Sequence, residues 1–297
     1  MSHAHFLLAP GRLGVQAHCL RHEIAAGLEP TLERVATLGL RAIEMMSFPG
    51  CRGQPWGDFG AAADRAPRDL AAALRAAELD CPSTMVLERE LDAERIEATL
   101  RWVDGIGCPR LVQSSFGIGA GASEADWQSA FDRLEDRARH VRAAGLRYVL
   151  HTQPNLWRPL GDRRPIDLLL ERLDPHLMQL EYDPSGAIIH GLDPAGPLRA
   201  RPDAFYALHL RDGHTPPEPV YYLAALPLGA GSVDWPALLG AARASAIGYG
   251  FLEMEVAEPA LTFAALESSC RYLRERPLPP DASRFQRRHD TRIADME

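Results

Sequence analysis

Short apolar runs alternate with longer stretches of helical spacing along most of the chain. Strand-like runs cover Leu13 to His18, Ala42 to Met46, Leu79 to Val86, Arg110 to Gln113, Tyr148 to Thr152, Met178 to Asp183, Tyr206 to Arg211 and Gly250 to Glu255. Between them the apolar positions fall three and four residues apart, as in Leu32, Val35 and Leu38 closed by Gly39, in Leu70, Ala73 and Leu74, and from Phe131 and Leu134 on to Val141. Residues at those intervals share one helix face, whereas a strand buried on both sides reads as a nearly continuous apolar run. Gly39 and Gly145 stand where a helix closes on a left-handed residue. Strands alternating with helices predict parallel βαβ units. An open doubly wound sheet shares the alternation, but neither a GxGxxG nor a P-loop follows the first strand. Eight strands favour closure, so the expected fold class is α/β, a (β/α)8 TIM barrel.

The chain has 297 residues, and a barrel of this kind commonly fills about 250 as one domain. Residues 1–276 are therefore expected to form one barrel. Residues 277–297, which include Pro279 and Pro280 and are otherwise polar and charged, are expected to form an extended or disordered arm that could pack on a second copy in a homo-oligomer. A hydrophobic fraction of 46% with 24% charged residues suffices for a sizeable core.

A net charge of −8 provides no global positive field, so neither nucleic acid nor an anionic membrane is an expected partner. All 32 basic residues are Arg, which excludes Schiff-base chemistry and a lysine general base. Cys19, Cys51, Cys81, Cys108 and Cys270 are scattered and never form a CxxC pair, which argues for reduced thiols over a disulfide framework or a zinc–cysteine site. No apolar run is long enough to span a bilayer, and a soluble cytoplasmic protein is expected.

In a closed parallel barrel the carboxyl ends of the strands converge on one mouth. Four of the eight predicted strands carry a metal-capable side chain there: His151, Asp183, His209 and Glu253. Two imidazoles and two carboxylates suit one divalent ion, Mn, Co, Zn, Fe or Mg, with the imidazoles favouring transition metals over calcium. Gln16, His18 and Glu44, at the ends of the first two strands, are candidate substrate contacts, as are Gln153 and Arg211. Trp56, Phe116, Trp157 and Tyr182 are candidates for the pocket wall.

Leu13-Gly-Val-Gln-Ala-His-Cys-Leu-Arg21, Thr31 to Gly39 followed by Ala42-Ile-Glu44, His209-Leu-Arg-Asp212, Leu228-Gly-Ala-Gly-Ser-Val-Asp-Trp235 and Phe251-Leu-Glu253 together resemble the sugar phosphate isomerase/epimerase superfamily. These are xylose isomerase-like barrels that include inosose dehydratases and ketose 3-epimerases. By that resemblance Asp183, His209 and Glu253 match three of the family's metal ligands. Many members place Glu at the end of the fifth strand. A subgroup has Tyr-His-Asn-His there, and in this chain His151 aligns with the first His while Gln153 replaces the second. Arg211 stands where Lys is usual, and Ser83-Thr84-Met85 where many members carry a His.

The resemblance implies a sugar or cyclitol substrate and an enediolate stabilised by the metal, leading to isomerisation, epimerisation or dehydration. Because the family's epimerases exchange a proton between two glutamates, His151 breaks that symmetry and gives a lyase weight. Glu253, Glu255 and His151 are the candidate acid–base groups, an imidazole serving only if the metal leaves it free. Two competing readings are a non-catalytic sugar-binding barrel, or partner subunit of a heteromeric complex, and a phosphodiesterase of the endonuclease IV type. The negative charge and sparse ligand set argue against the latter.

Overall fold

The computed structural model describes residues 11–49, 62, 64–119, 121–215, 223–254 and 259–275. Glu255, Trp56, Cys51 and the 277–297 arm lie outside them.

Eight parallel strands form one sheet: β1 (Leu13–Gln16), β2 (Ala42–Glu44), β3 (Thr84–Val86), β4 (Arg110–Gln113), β5 (Arg147–His151), β6 (Met178–Tyr182), β7 (Phe205–Leu210) and, after an antiparallel hairpin of β8 (Asp212–His214) and β9 (Ala224–Leu226), β10 (Tyr249–Leu252). Their order is β2-β1-β10-β7-β6-β5-β4-β3. The ends of this order meet through parallel bridges Ala42↔Asp80 and Met45↔Thr84, with Ile43 N donating to Asp80 O at 2.9 Å and Met85 N to Met45 O at 2.7 Å, so the sheet closes on itself. The strand expected from Leu79 is only Thr84–Val86, because Pro82 has no N–H with which to extend the ladder. The first strand stops at Gln16, where its side-chain oxygen accepts from His18 N and opens a tight turn over Ala17–Leu20.

Helices Leu28–Thr37, Pro67–Ala76, Ile96–Gly105 and Glu124–Ala143 pack outside. The longest turns Trp127, Phe131, Leu134, Ala138 and Val141 inward, the spacing expected of a single buried stripe. Gly39 (φ +80°) and Gly145 (φ +84°) adopt the left-handed conformation expected beyond their helices.

Strand pleating decides which residues reach the lumen, since alternate side chains face opposite sides. Leu150, Leu180, Tyr182, Leu208 and Leu252 join the core between sheet and helices, while Ala42, Met85, Val112, Val149, Ala207 and Phe251 cluster inside the barrel. His151, His209 and Glu253 stand two residues beyond Val149, Ala207 and Phe251, and Asp183 stands one residue beyond the outward Tyr182. All four therefore turn inward at the carboxyl end.

Candidate metal centre

One ligand atom from each of His151, Asp183, His209 and Glu253 lies within 4.8 Å of every other, and all four residues are buried. The His151 and His209 ring centroids are 4.8 Å apart. His209 Nδ1 is 2.5 Å from Glu253 Oε2, and His151 Nε2 is 3.9 Å from Asp183 Oδ2. Both ring nitrogens of His151, His209 Nδ1, Asp183 Oδ2 and Glu253 Oε2 lack a hydrogen-bond partner among the described residues. Buried polar atoms are ordinarily paired. Two imidazoles and two carboxylates that bring one ligand atom each within 4.8 Å of the others, several of them without a hydrogen-bond partner, are a donor set that fits a cation.

The other atoms of these side chains are held in place. Asp183 Oδ1 accepts from Ser185 N at 2.8 Å, and Asp183 N donates to Thr152 Oγ1 at 2.9 Å. His209 Nε2 faces Glu44 Oε2 and Glu181 Oε2, each at 3.1 Å. Arg211, 2% exposed, places Nη2 2.7 Å from Glu253 Oε1 and Nε 3.2 Å from Asp183 Oδ2. Arg211, a candidate substrate contact from sequence, is brought into the centre itself by its pairs to Asp183 and Glu253.

Burial pulls the His151 imidazole down to about 4, reinforced by the His209 charge, so its ring is neutral near pH 7. Burial would raise Glu253, but Arg211 and then His209 outweigh it and hold the carboxylate well below its usual range. His209 is pushed the other way: burial disfavours its charge, yet Glu181 and Glu253 hold it well above its ordinary value. Burial, then the neighbouring Glu44, raises Glu181 to about 8.

The expected substrate contacts divide. Gln16 is 0% exposed, with its amide Nε2 3.5 Å from Met85 Sδ and its oxygen spent on the turn at His18, which is half-buried. Glu44 is also 0% exposed and sits behind His209. Gln153 is half-buried and donates to Ser114 O at 2.5 Å. Of the aromatic wall, Trp56 lies outside the described residues and the other three are corrected. Phe116 packs tilted against Trp127 at 6.0 Å and stacks on Phe131 at 6.5 Å, and Trp157 packs on Tyr182 at 5.9 Å in the outer core, because these side chains have the opposite parity to the centre or lie beyond the strands. Glu181 was missed as a lumen residue, although it stands two positions before Asp183 and therefore shares its face.

A family model described as "Xylose isomerase-like TIM barrel" matches residues 32–276. The chain belongs to that family. It is similar to an inosose dehydratase of Geobacillus kaustophilus (strain HTA426), 30% identical over 90 residues that span 30% of this chain and 29% of that protein, so less than a third of the relative's length is matched. Among solved structures, a sugar phosphate isomerase/epimerase from Parabacteroides distasonis ATCC 8503 superposes with a TM-score of 0.75 at 19% identity, over 91% of this chain and 96% of that one. An L-ribulose 3-epimerase does so at 0.60 and 16% identity, over 89% and 93%. At these identities the two structures establish the fold. Among the described residues no helix is long and apolar enough to cross a membrane.

Proposed function

We propose that this xylose isomerase-like barrel is a metal-dependent isomerase, epimerase or dehydratase acting on a keto sugar or keto-cyclitol. The observation that carries this reading is the convergence of His151, Asp183, His209 and Glu253 from four neighbouring strands, all buried and with one ligand atom each within 4.8 Å of the others. The activities for which the relatives are named, dehydration of an inosose and epimerisation of a ketose, support the substrate class. A divalent ion in this centre would polarise a carbonyl and its neighbouring hydroxyl, making the adjacent C–H acidic.

The chain's own groups shape the rest of the reaction. Arg211 retains its charge at any working pH and supplies a fixed positive field for a developing oxyanion while it holds Glu253 Oε1. In this reading Glu253 takes the carbon-bound proton, with Glu255 a further candidate. Its depressed proton affinity makes it a weak base, so most of the acidity must be generated at carbon. His151 supplies an imidazole where a second carboxylate would be needed to return a proton from the opposite face. One-sided proton removal followed by loss of a β-hydroxyl therefore suits the centre better than symmetric exchange.

The test is turnover in D2O by Mn- or Co-loaded protein on a panel of ketoses and keto-inositols. Loss of water with a new enone absorbance identifies a dehydratase, and deuterium in a recovered isomer an isomerase or epimerase. Binding without turnover of any member would contradict the proposal and favour a non-catalytic sugar-binding barrel.

A further inference from the structure

Behind the His209 ring lies a buried polar chain that the proposed reaction does not use. Tyr206 OH donates to Ser83 Oγ at 3.1 Å, Ser83 Oγ donates to Glu44 Oε1 at 2.8 Å, and Glu44 Oε2 lies 3.1 Å from His209 Nε2. Glu44, Ser83 and His209 are 0% exposed and Tyr206 is 3% exposed. The chain leaves β7 at Tyr206, crosses the lumen to the residue preceding β3, passes to β2 and returns to β7 at His209. It thus spans the seam at which the barrel closes, where Met45 N donates to Ser83 O at 3.2 Å.

We propose that Glu44 is a positioning residue: through Tyr206, Ser83 and Glu44 the barrel holds the His209 ring so that, when a metal takes Nδ1, the remaining proton sits on Nε2 and points to Glu44. This rests on the reading of His209 as a metal ligand. An imidazole that coordinates through one nitrogen carries its proton on the other, and the partner of that proton sets ring orientation and ligand basicity. An ionised carboxylate is an acceptor only, so Glu44 can receive from Ser83 and His209 together. The directions agree along the whole chain, with the carboxylate as the common acceptor.

Glu181 cannot be given the same role on geometry. Its Oε2 is equally near His209 Nε2, yet both its oxygens lack a hydrogen-bond partner among the described residues, which places it off the N–H direction. Its larger influence on the ring is through charge. Around the ring, Phe251 presents its plane nearly perpendicular, at 86° and 6.4 Å between centroids, and offers no competing acceptor.

The experiment uses the full chain loaded with Zn2+ and labelled with 15N-histidine. In the wild type a slowly exchanging ring proton on His209 Nε2 is expected, and chelator competition gives the reference affinity. Glu44→Met, which removes the acceptor at similar length, should abolish that protected proton and weaken Zn2+ binding about 10–100-fold. Glu44→Gln, which keeps an amide oxygen as acceptor, should recover part of both. Ser83→Ala, the milder change should Glu44→Met fail to fold, should weaken binding in the same direction by less. A merely structural role would lower the melting temperature and leave the ring proton and the affinity unchanged. If the wild type binds Zn2+ and Asp183→Ala does not, yet the Glu44 and Ser83 variants match the wild type, the positioning role is overturned while the metal reading stands. A wild type that takes up no Zn2+ overturns both.

Discussion

His151 lowers the negative charge of the centre relative to the Glu that the resemblance implies for the end of the fifth strand, while Arg211 keeps the positive charge of the usual Lys. A neutral imidazole stands in place of a carboxylate, and a guanidinium that cannot lose its proton bridges the two carboxylates that remain. An entering ion meets Asp183 and Glu253 already partly compensated by Arg211. His151→Glu should therefore raise affinity for Mn2+ and Mg2+ relative to Zn2+, because it exchanges a nitrogen for an oxygen ligand and adds a negative charge. His151→Ala should lower affinity for Zn2+ by at least ~100-fold with little change in secondary structure. Chelator competition and far-UV circular dichroism read both, and an unchanged Zn2+ affinity in His151→Ala would remove it from the ligand set. Elsewhere at this scale, burial pushes the Cys19 thiol up to about 12, so at pH 8 it is almost wholly protonated and inert. Mass spectrometry of native protein treated with iodoacetamide should find Cys19 unmodified until the chain is denatured.

The element that sequence reading did not anticipate is the hairpin of β8 and β9, which comes after β7 with a single residue, Arg211, between them. Its anchor is Asp212, 1% exposed, whose carboxylate accepts from five donors: Gly213 N, Gly229 N, Gly231 N, Val233 N and Trp235 Nε1, at 2.8 to 3.3 Å. This explains physically why Asp212, the glycines and Trp235 stand at that spacing. The motif was legible, but the pairing was not, because three-residue strands carry too little periodicity to register. Gly229 adopts φ +83°, and a Cβ on Gly231 would collide with Asp212 Oδ1. Asp212→Ala strands several buried donors and should cost about 3 kcal/mol or more, with Gly231→Ala destabilising in the same direction. Urea denaturation measures both, and a loss well under 1 kcal/mol for Asp212→Ala would contradict the anchoring role.

At the scale of the molecule, the eight strands and their closure were legible because each strand is a short apolar run set between helices with a clear inward stripe. Boundaries slipped where a local hydrogen bond or a proline intervened, at Gln16 and Pro82. The convergence of His151, Asp183, His209 and Glu253 was legible for the same reason as the fold: the parity that makes Leu150, Tyr182, Leu208 and Leu252 core residues sends these four into the lumen. What sequence alone could not supply was partnership. That Arg211 turns to Asp183 and Glu253 and that Glu44 backs His209 both depend on which strands become neighbours on closure. The central claim is that four residues from four strands make one cation site. Elemental analysis of the purified wild type after refilling with Mn2+ or Co2+, beside Asp183→Ala and Glu253→Ala, tests it most directly. The account predicts one ion per chain in the wild type and a marked loss in both variants. A wild type without bound metal, or variants that retain it fully, would contradict the account.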